Sequence, residues 1–140
     1  MEPNKEGLVE REIRILLVDD EELVRRSLEK TLLRAGFDVE TAGNVVDARS
    51  LFEAAHASDA PFDLAVLDLQ MPDAQGRENP NAGLDLLSDL LAIDASLPVI
   101  VLTAFDDVSR AKEAVRRGAR AYLVKGHEDR LVEKVETIFR

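Results

Sequence analysis

Ile13-Arg14-Ile15-Leu16-Leu17-Val18-Asp19-Asp20 is the stretch on which the fold turns. Its apolar run is broken only by Arg14 and stops at two adjacent carboxylates, which reads as a buried strand ending in a polar edge. The pattern returns downstream. Leu64-Ala65-Val66-Leu67 ends at Asp68, Val99-Ile100-Val101-Leu102 ends at Thr103, and Ala121 to Val124 ends at Lys125. A weaker alternation over Phe37 to Ala42 supplies one more strand. Between them, apolar residues recur at helical spacing over about Glu21–Ala35, Val45–Ala55, Leu84–Ala92, Asp107–Arg117 and the remainder through Phe139. Gly36 and Gly118 stand where two of these segments should stop.

Five strands alternating with five helices, most of the strands nearly continuous in apolar side chains, predict a doubly wound α/β domain. Its parallel sheet should be covered by helices on both faces. In such sheets functional groups gather beyond the carboxyl ends of the strands, where the strand order reverses. Asp19, Asp20, Asp68, Thr103 and Lys125 all fall there.

Those five suggest one chemistry. Clustered carboxylates repel unless a cation or a proton compensates, and a few oxygen ligands suit Mg²⁺, which keeps several waters. A carboxylate beside such a metal can attack a phosphoryl group, since positioning and charge neutralisation supply most of the catalysis in phosphoryl transfer. The Lys125 ammonium can offset charge on phosphoryl oxygens, and the Thr103 hydroxyl can donate to one of them. Taken singly, each residue has an ordinary structural reading: the aspartate pair as a helix cap, Asp68 as a turn residue. Their joint placement carries the inference.

Bulk properties narrow the rest. The chain has 140 residues, 46% hydrophobic and 33% charged, enough for one compact domain with a continuous core. A net charge of −10 provides no basic face for direct nucleic-acid binding. No cysteine is present, so disulfides and thiolate chemistry are excluded. Residues 1–12 read as a polar N-terminal extension without the apolar centre of a signal peptide, and no stretch has the length of a membrane span. The expectation is a soluble cytoplasmic protein whose folded domain occupies residues 13–140.

The segments I-L-L-V-D-D (15–20), V-L-D-L-Q-M-P (66–72), V-I-V-L-T-A (99–104) and A-Y-L-V-K (121–125) resemble those of response-regulator receiver domains of two-component signalling systems. The resemblance implies a flavodoxin-like strand order 2-1-3-4-5. It makes Asp68 the phosphoacceptor, Asp20 a direct Mg²⁺ ligand, Asp19 a ligand acting through water, and the Gln70 backbone carbonyl a further ligand. Thr103 and Lys125 then contact the phosphoryl group, and Tyr122 is the aromatic whose ring follows the threonine. The implied partners are a sensor histidine kinase or histidine phosphotransfer protein as donor, and a downstream effector or output domain; a homodimer is among the assemblies the family allows. Such a domain assists its own phosphorylation and dephosphorylation without being a turnover enzyme. Two alternatives stay open: a receiver-like scaffold that works without phosphorylation, and a Mg²⁺-dependent aspartyl-phosphate phosphohydrolase. A flavin- or nucleotide-binding domain fits poorly, because Asp19 to Glu22 stand where a phosphate-binding loop would be needed.

The sequence departs from the family pattern in three places. Arg77 to Gly83 looks inserted, and could form a rim over the site or a partner contact. Gly126 follows the lysine where a proline is common, and a cis bond before glycine is much costlier than one before proline. Phe105, two residues after Thr103, cannot orient a water by hydrogen bonding, so a comparatively long-lived phosphoform is expected, unless the Gln70 amide counters it.

Overall fold

The computed structural model describes residues 12–140, so nearly all of the polar extension assigned to residues 1–12 lies outside the described residues. Five strands, β1 (Arg14–Val18), β2 (Asp38–Ala42), β3 (Leu64–Asp68), β4 (Val99–Thr103) and β5 (Ala121–Val124), form one sheet in the order 2-1-3-4-5. Every neighbouring pair is parallel. The helices are α1 (Glu22–Arg34), α2 (Val45–His56), α3 (Ala82–Ile93), α4 (Val108–Arg116) and α5 (Leu131–Ile138), with a short 3-10 turn at Glu128–Arg130 leading into the last.

Alternation along each strand divides the core into two layers. Ile15, Leu17, Val66, Ile100 and Leu102 face one side, where Leu28 and Leu32 of α1 and Leu131 and Val135 of α5 cover them. Leu16, Val18, Leu67, Val99 and Val101 face the other, under Phe52 of α2 and Leu86, Leu87 and Leu90 of α3. Strands buried on both faces need apolar residues at nearly every position, which is why β3 and β4 read as unbroken runs.

The register brings the strand ends level. Val18 pairs with Leu67, and Asp68 with Leu102. The ladder continues past the last paired residues: the Leu69 N–H donates to the Leu102 carbonyl at 3.0 Å, and the Lys125 N–H to the Thr103 carbonyl at 2.8 Å. Backbone pairing therefore holds the five polar residues along one edge.

Two glycines shape that edge. Gly83 lies in the first turn of α3, where an added Cβ would sit 2.6 Å from the Leu69 Cα, so only glycine lets the helix start against the backbone that follows Asp68. Within the stretch Arg77 to Gly83, Ala82 and Gly83 belong to the helix; the connection from β3 to α3 covers residues 69–81, with an isolated antiparallel bridge between Pro72 and Glu78. Gly126 has φ of 98°, a conformation that favours glycine, and turns the chain sharply after Lys125. The Lys125–Gly126 bond is trans, as is every peptide bond among the described residues.

Candidate functional site

Asp68, at the end of the central strand, is fully buried, and so is Asp19, the residue that follows β1. Asp20 is exposed at the mouth. One carboxylate oxygen from each of the three lies within 4.8 Å of the others. Each buried acid is held by a local turn: the Gln70 N–H donates to Asp68 Oδ1 at 3.0 Å, and the Glu21 N–H to Asp19 Oδ1 at 2.9 Å. The Arg25 guanidinium donates to the Asp19 backbone carbonyl at 2.8 Å, fixing the start of the loop.

Lys125 is the cation facing this cluster. Its Nζ lies 3.0 Å from Asp68 Oδ2 and 3.7 Å from Glu21 Oε1. One ammonium does not balance the acids around it. Burial pushes the Asp68 carboxyl up to about 7, with the Asp19 charge adding to the rise while the Gln70 N–H and Lys125 oppose it. Asp19 is raised as well, first by burial, with Asp20 and Glu21 adding repulsion. For Lys125, burial disfavours the ammonium, but the charges of Asp68, Asp19 and Glu21 together outweigh it and raise its pKa.

One buried atom decides what the cluster can hold. Asp19 Oδ2 is inaccessible to solvent and has no hydrogen-bond partner. A buried carboxylate oxygen in that condition is costly unless a cation or a proton meets it. Three carboxylates within reach of one another, one of them carrying an unpartnered oxygen, fit a hard divalent cation that keeps part of its water shell. Asp19, Asp20 and Asp68 can thus provide a metal centre.

Thr103 is 1% exposed at the end of β4, beside Lys125 in the sheet. Its hydroxyl donates to the Asp107 carbonyl at 3.0 Å, so the β4–α4 loop occupies it and not the carboxylates. Asp20 and Lys125 open into a cavity of about 460 Å³ lined also by Glu21, Gln70, Met71, Pro72 and, from the loop before α3, Glu78, Asn79 and Pro80. The suspected insertion forms one wall of this cavity. Gln70 lines it too, with its backbone turned to Asp68 through the N–H.

Tyr122 is not part of this cavity. It is half-buried on β5, packed against the α2/α3 layer, and lines a separate shallow pocket with Arg120, His127, Arg130 and Lys134. His56 ends α2 and stacks on Phe52, so neither histidine lines the acidic cavity. Phe105 is 83% exposed in the loop after Thr103. Sequence reasoning missed Arg110, which also lines the cavity; its position three residues after Asp107 on α4, a spacing that pairs side chains across one helical turn, was the available signal. It missed Glu21 and Arg25 as well. Glu21 looked like a plain helix-start acid, and no local spacing announces that Arg25 reaches back to a backbone carbonyl.

Comparison with known proteins agrees with this geometry. The sequence profile described as "Response regulator receiver domain" matches residues 15–136. Among curated relatives, response regulator protein PilR of Pseudomonas aeruginosa is 36% identical over 126 residues, covering 89% of this chain and 26% of PilR. Response regulator MprA of Mycobacterium bovis is 39% identical over 113 residues, covering 81% of this chain and 44% of MprA. The chain therefore spans less than half the length of these curated relatives. Among solved structures, a CheY-like response regulator receiver domain protein from Methanospirillum hungatei superposes with a TM-score of 0.75 at 26% identity, covering 91% of this chain and 93% of that one. The receiver domain of NtrX from Brucella abortus gives 0.74 at 30% identity, covering 88% and 95%. Fold, strand order and sequence agree, and the chain belongs to the response regulator receiver domains.

Proposed function

We propose that this domain accepts a phosphoryl group on Asp68 from a phosphohistidine of a sensor kinase or phosphotransfer protein, and signals its arrival by rearranging the β4–α4 loop. The observation that carries this reading is the Asp68 carboxylate itself: fully buried, 3.0 Å from the Lys125 ammonium and clustered with Asp19 and Asp20, while Lys125 and Asp20 line a cavity. A purely structural aspartate would gain nothing from burial among like charges.

Asp19, Asp20 and Asp68 are the side chains that would hold Mg²⁺, with the Gln70 carbonyl as the proposed backbone ligand. Bound there, the ion would neutralise the carboxylates and withdraw charge from the phosphoryl oxygens. In the transfer, an Asp68 oxygen attacks phosphorus and an O–P bond forms. The P–N bond of the phosphohistidine breaks, and its electron pair stays on the imidazole nitrogen. Lys125 already points at Asp68 Oδ2 and is placed to take up charge on the arriving group. Thr103 must give up the Asp107 carbonyl to donate to a phosphoryl oxygen, and that exchange is the proposed link to the loop and then to Tyr122.

The residue two after Asp68 is Gln70, which has no carboxyl for general acid–base work, and this favours a phosphoacceptor over a turnover phosphohydrolase. Exposed Phe105 supplies no group to orient a hydrolytic water, and this supports a slowly decaying phosphoform. Rapid decay that is unchanged in a Phe105 variant would remove that role. Glu78, Asn79 and Pro80 line the same cavity as Asp20 and Lys125, and in this reading they limit access to Asp68; deletion of residues 77–81 with no change in phosphotransfer rate would dismiss that role. The native chain and Asp68→Asn, each incubated with a small phosphodonor and Mg²⁺ and then weighed intact, test the main reading. A gain of one phosphoryl group in the native chain alone is expected; equal labelling of both, or of neither, overturns it.

A further inference from the structure

Arg110 and Thr103 are tied to one residue of the β4–α4 loop, and this points to a second phosphoryl-binding cation. The Asp107 carbonyl accepts the Thr103 hydroxyl at 3.0 Å and the Arg110 backbone N–H at 3.1 Å. The Asp107 carboxylate holds the Arg110 guanidinium at 2.7 Å, with both side chains about three-quarters buried. Among the described residues lining the cavity into which Lys125, the partner of Asp68, opens, Arg110 and Lys125 are the two cations, against Asp20, Glu21 and Glu78. We infer that Arg110 is a positioning residue for the phosphoryl group, restrained by Asp107 while Asp68 is free and turned toward Asp68 when it is phosphorylated.

The inference rests on the reading of Asp68 as phosphoacceptor and extends it. A phosphoryl group brings about two negative charges and three strong acceptor oxygens. Lys125 supplies one positive charge, already shared with Asp68 and Glu21. A planar guanidinium on the same cavity wall matches phosphoryl oxygens better than it matches the lone Asp107 oxygen it now meets. When Thr103 leaves the Asp107 carbonyl for a phosphoryl oxygen, the residue gripping Arg110 loses one of its own anchors. The two releases favour each other, so charge at Asp68 is felt at the first turn of α4 through a side chain as well as through Thr103.

The ion pair can be cut from either side, and the two cuts separate this role from a structural one. The whole chain with Mg²⁺ is titrated with beryllofluoride, an analogue of the phosphoryl group on a carboxylate, and read by fluorine NMR. Arg110→Ala should weaken binding about fivefold, and Arg110→Lys should restore part of the loss, as for loss of a charge-assisted contact. Asp107→Asn keeps the backbone carbonyl for Thr103 and frees Arg110, so it should strengthen binding about threefold. A pair that only braces the loop would move both variants the same way, and that outcome, or no change in either, overturns the inference while the native chain still binds. If the native chain itself binds no beryllofluoride, the phosphoacceptor reading falls, and Arg110 has nothing to position.

Discussion

The two ends of the sheet each gather several acids around one cation, and they treat them differently. At the amino ends of the strands, Arg14 donates through Nε to Asp38 at 3.1 Å and also pairs with Glu40 and the Ala60 carbonyl. Its backbone N–H meets Asp63 at 2.8 Å, and its guanidinium lies 4.7 Å over the Phe62 ring. The acids paired with its side chain stay nearly half exposed. At the carboxyl ends, Lys125 faces Asp68 and Asp19, both without solvent exposure, and one oxygen of Asp19 has no partner. The first cluster is complete as it stands. The second has a raised carboxyl at its centre and becomes complete only when a cation or a proton arrives, which is what a site that binds and releases needs.

The contrast is most directly tested with Mg²⁺ itself. A ligand that binds only the folded state at about a hundred times its dissociation constant should add about 2.7 kcal/mol to the free energy of unfolding. Urea denaturation with and without Mg²⁺ measures this, and Asp19→Asn should lose most of the gain. The amino-end cluster should respond to neither. Arg14→Leu leaves Asp38 and Glu40 without their shared cation and should destabilise the fold by about 2 kcal/mol, by the same amount with Mg²⁺ as without. If Mg²⁺ stabilises nothing, or rescues Arg14→Leu, the two ends are not different in kind.

The carboxyl end was legible in the sequence and the amino end was not, for a reason of spacing. Asp19, Asp68, Thr103 and Lys125 each follow directly on an apolar run, so the strand that positions each residue also announces it. Arg14 registered only as a break in such a run; its partners Asp38, Glu40 and Asp63 lie 24 to 49 residues away, and nothing local connects them. The start of α3 was hidden by Pro80, Asn81 and Gly83, which have the character of turn residues, although Gly83 is there because the Leu69 backbone leaves no room for a Cβ. The hold of Asp107 on Thr103 runs through a backbone carbonyl, a group every residue has, so no side-chain pattern could reveal it.

Proton competition sharpens the comparison further. With Asp68 raised to about 7, a metal ion entering at pH 6 must displace a proton that is mostly absent at pH 8. Mg²⁺ affinity should therefore rise about tenfold, or about 1.4 kcal/mol, between those two values. Calorimetric titrations at the two pH values check this. A flat profile would mean that Asp68 is ionised throughout, and the cluster no worse balanced than the one at Arg14.

The smallest effect tests the imbalance with no metal present. The Asp68 carboxyl sits near 7 in the folded chain, against about 3.9 for an unperturbed aspartate, so between these values the folded state holds a proton that the unfolded state has released. The stability contributed by that proton is fully present below about pH 4 and is lost as the pH rises through about 7. Asp68→Asn keeps a neutral group at all pH values and removes the repulsion with Asp19, though Lys125 loses its partner. The stability of the variant relative to the native chain should rise from pH 4 and level off above about pH 7, a change of at least about 1 kcal/mol. Thermal unfolding in chelator from pH 4 to pH 8 gives the curve. A variant less stable than the native chain at pH 8 would mean that the Asp68–Lys125 pair outweighs burial and repulsion, making this end of the sheet as self-sufficient as the other.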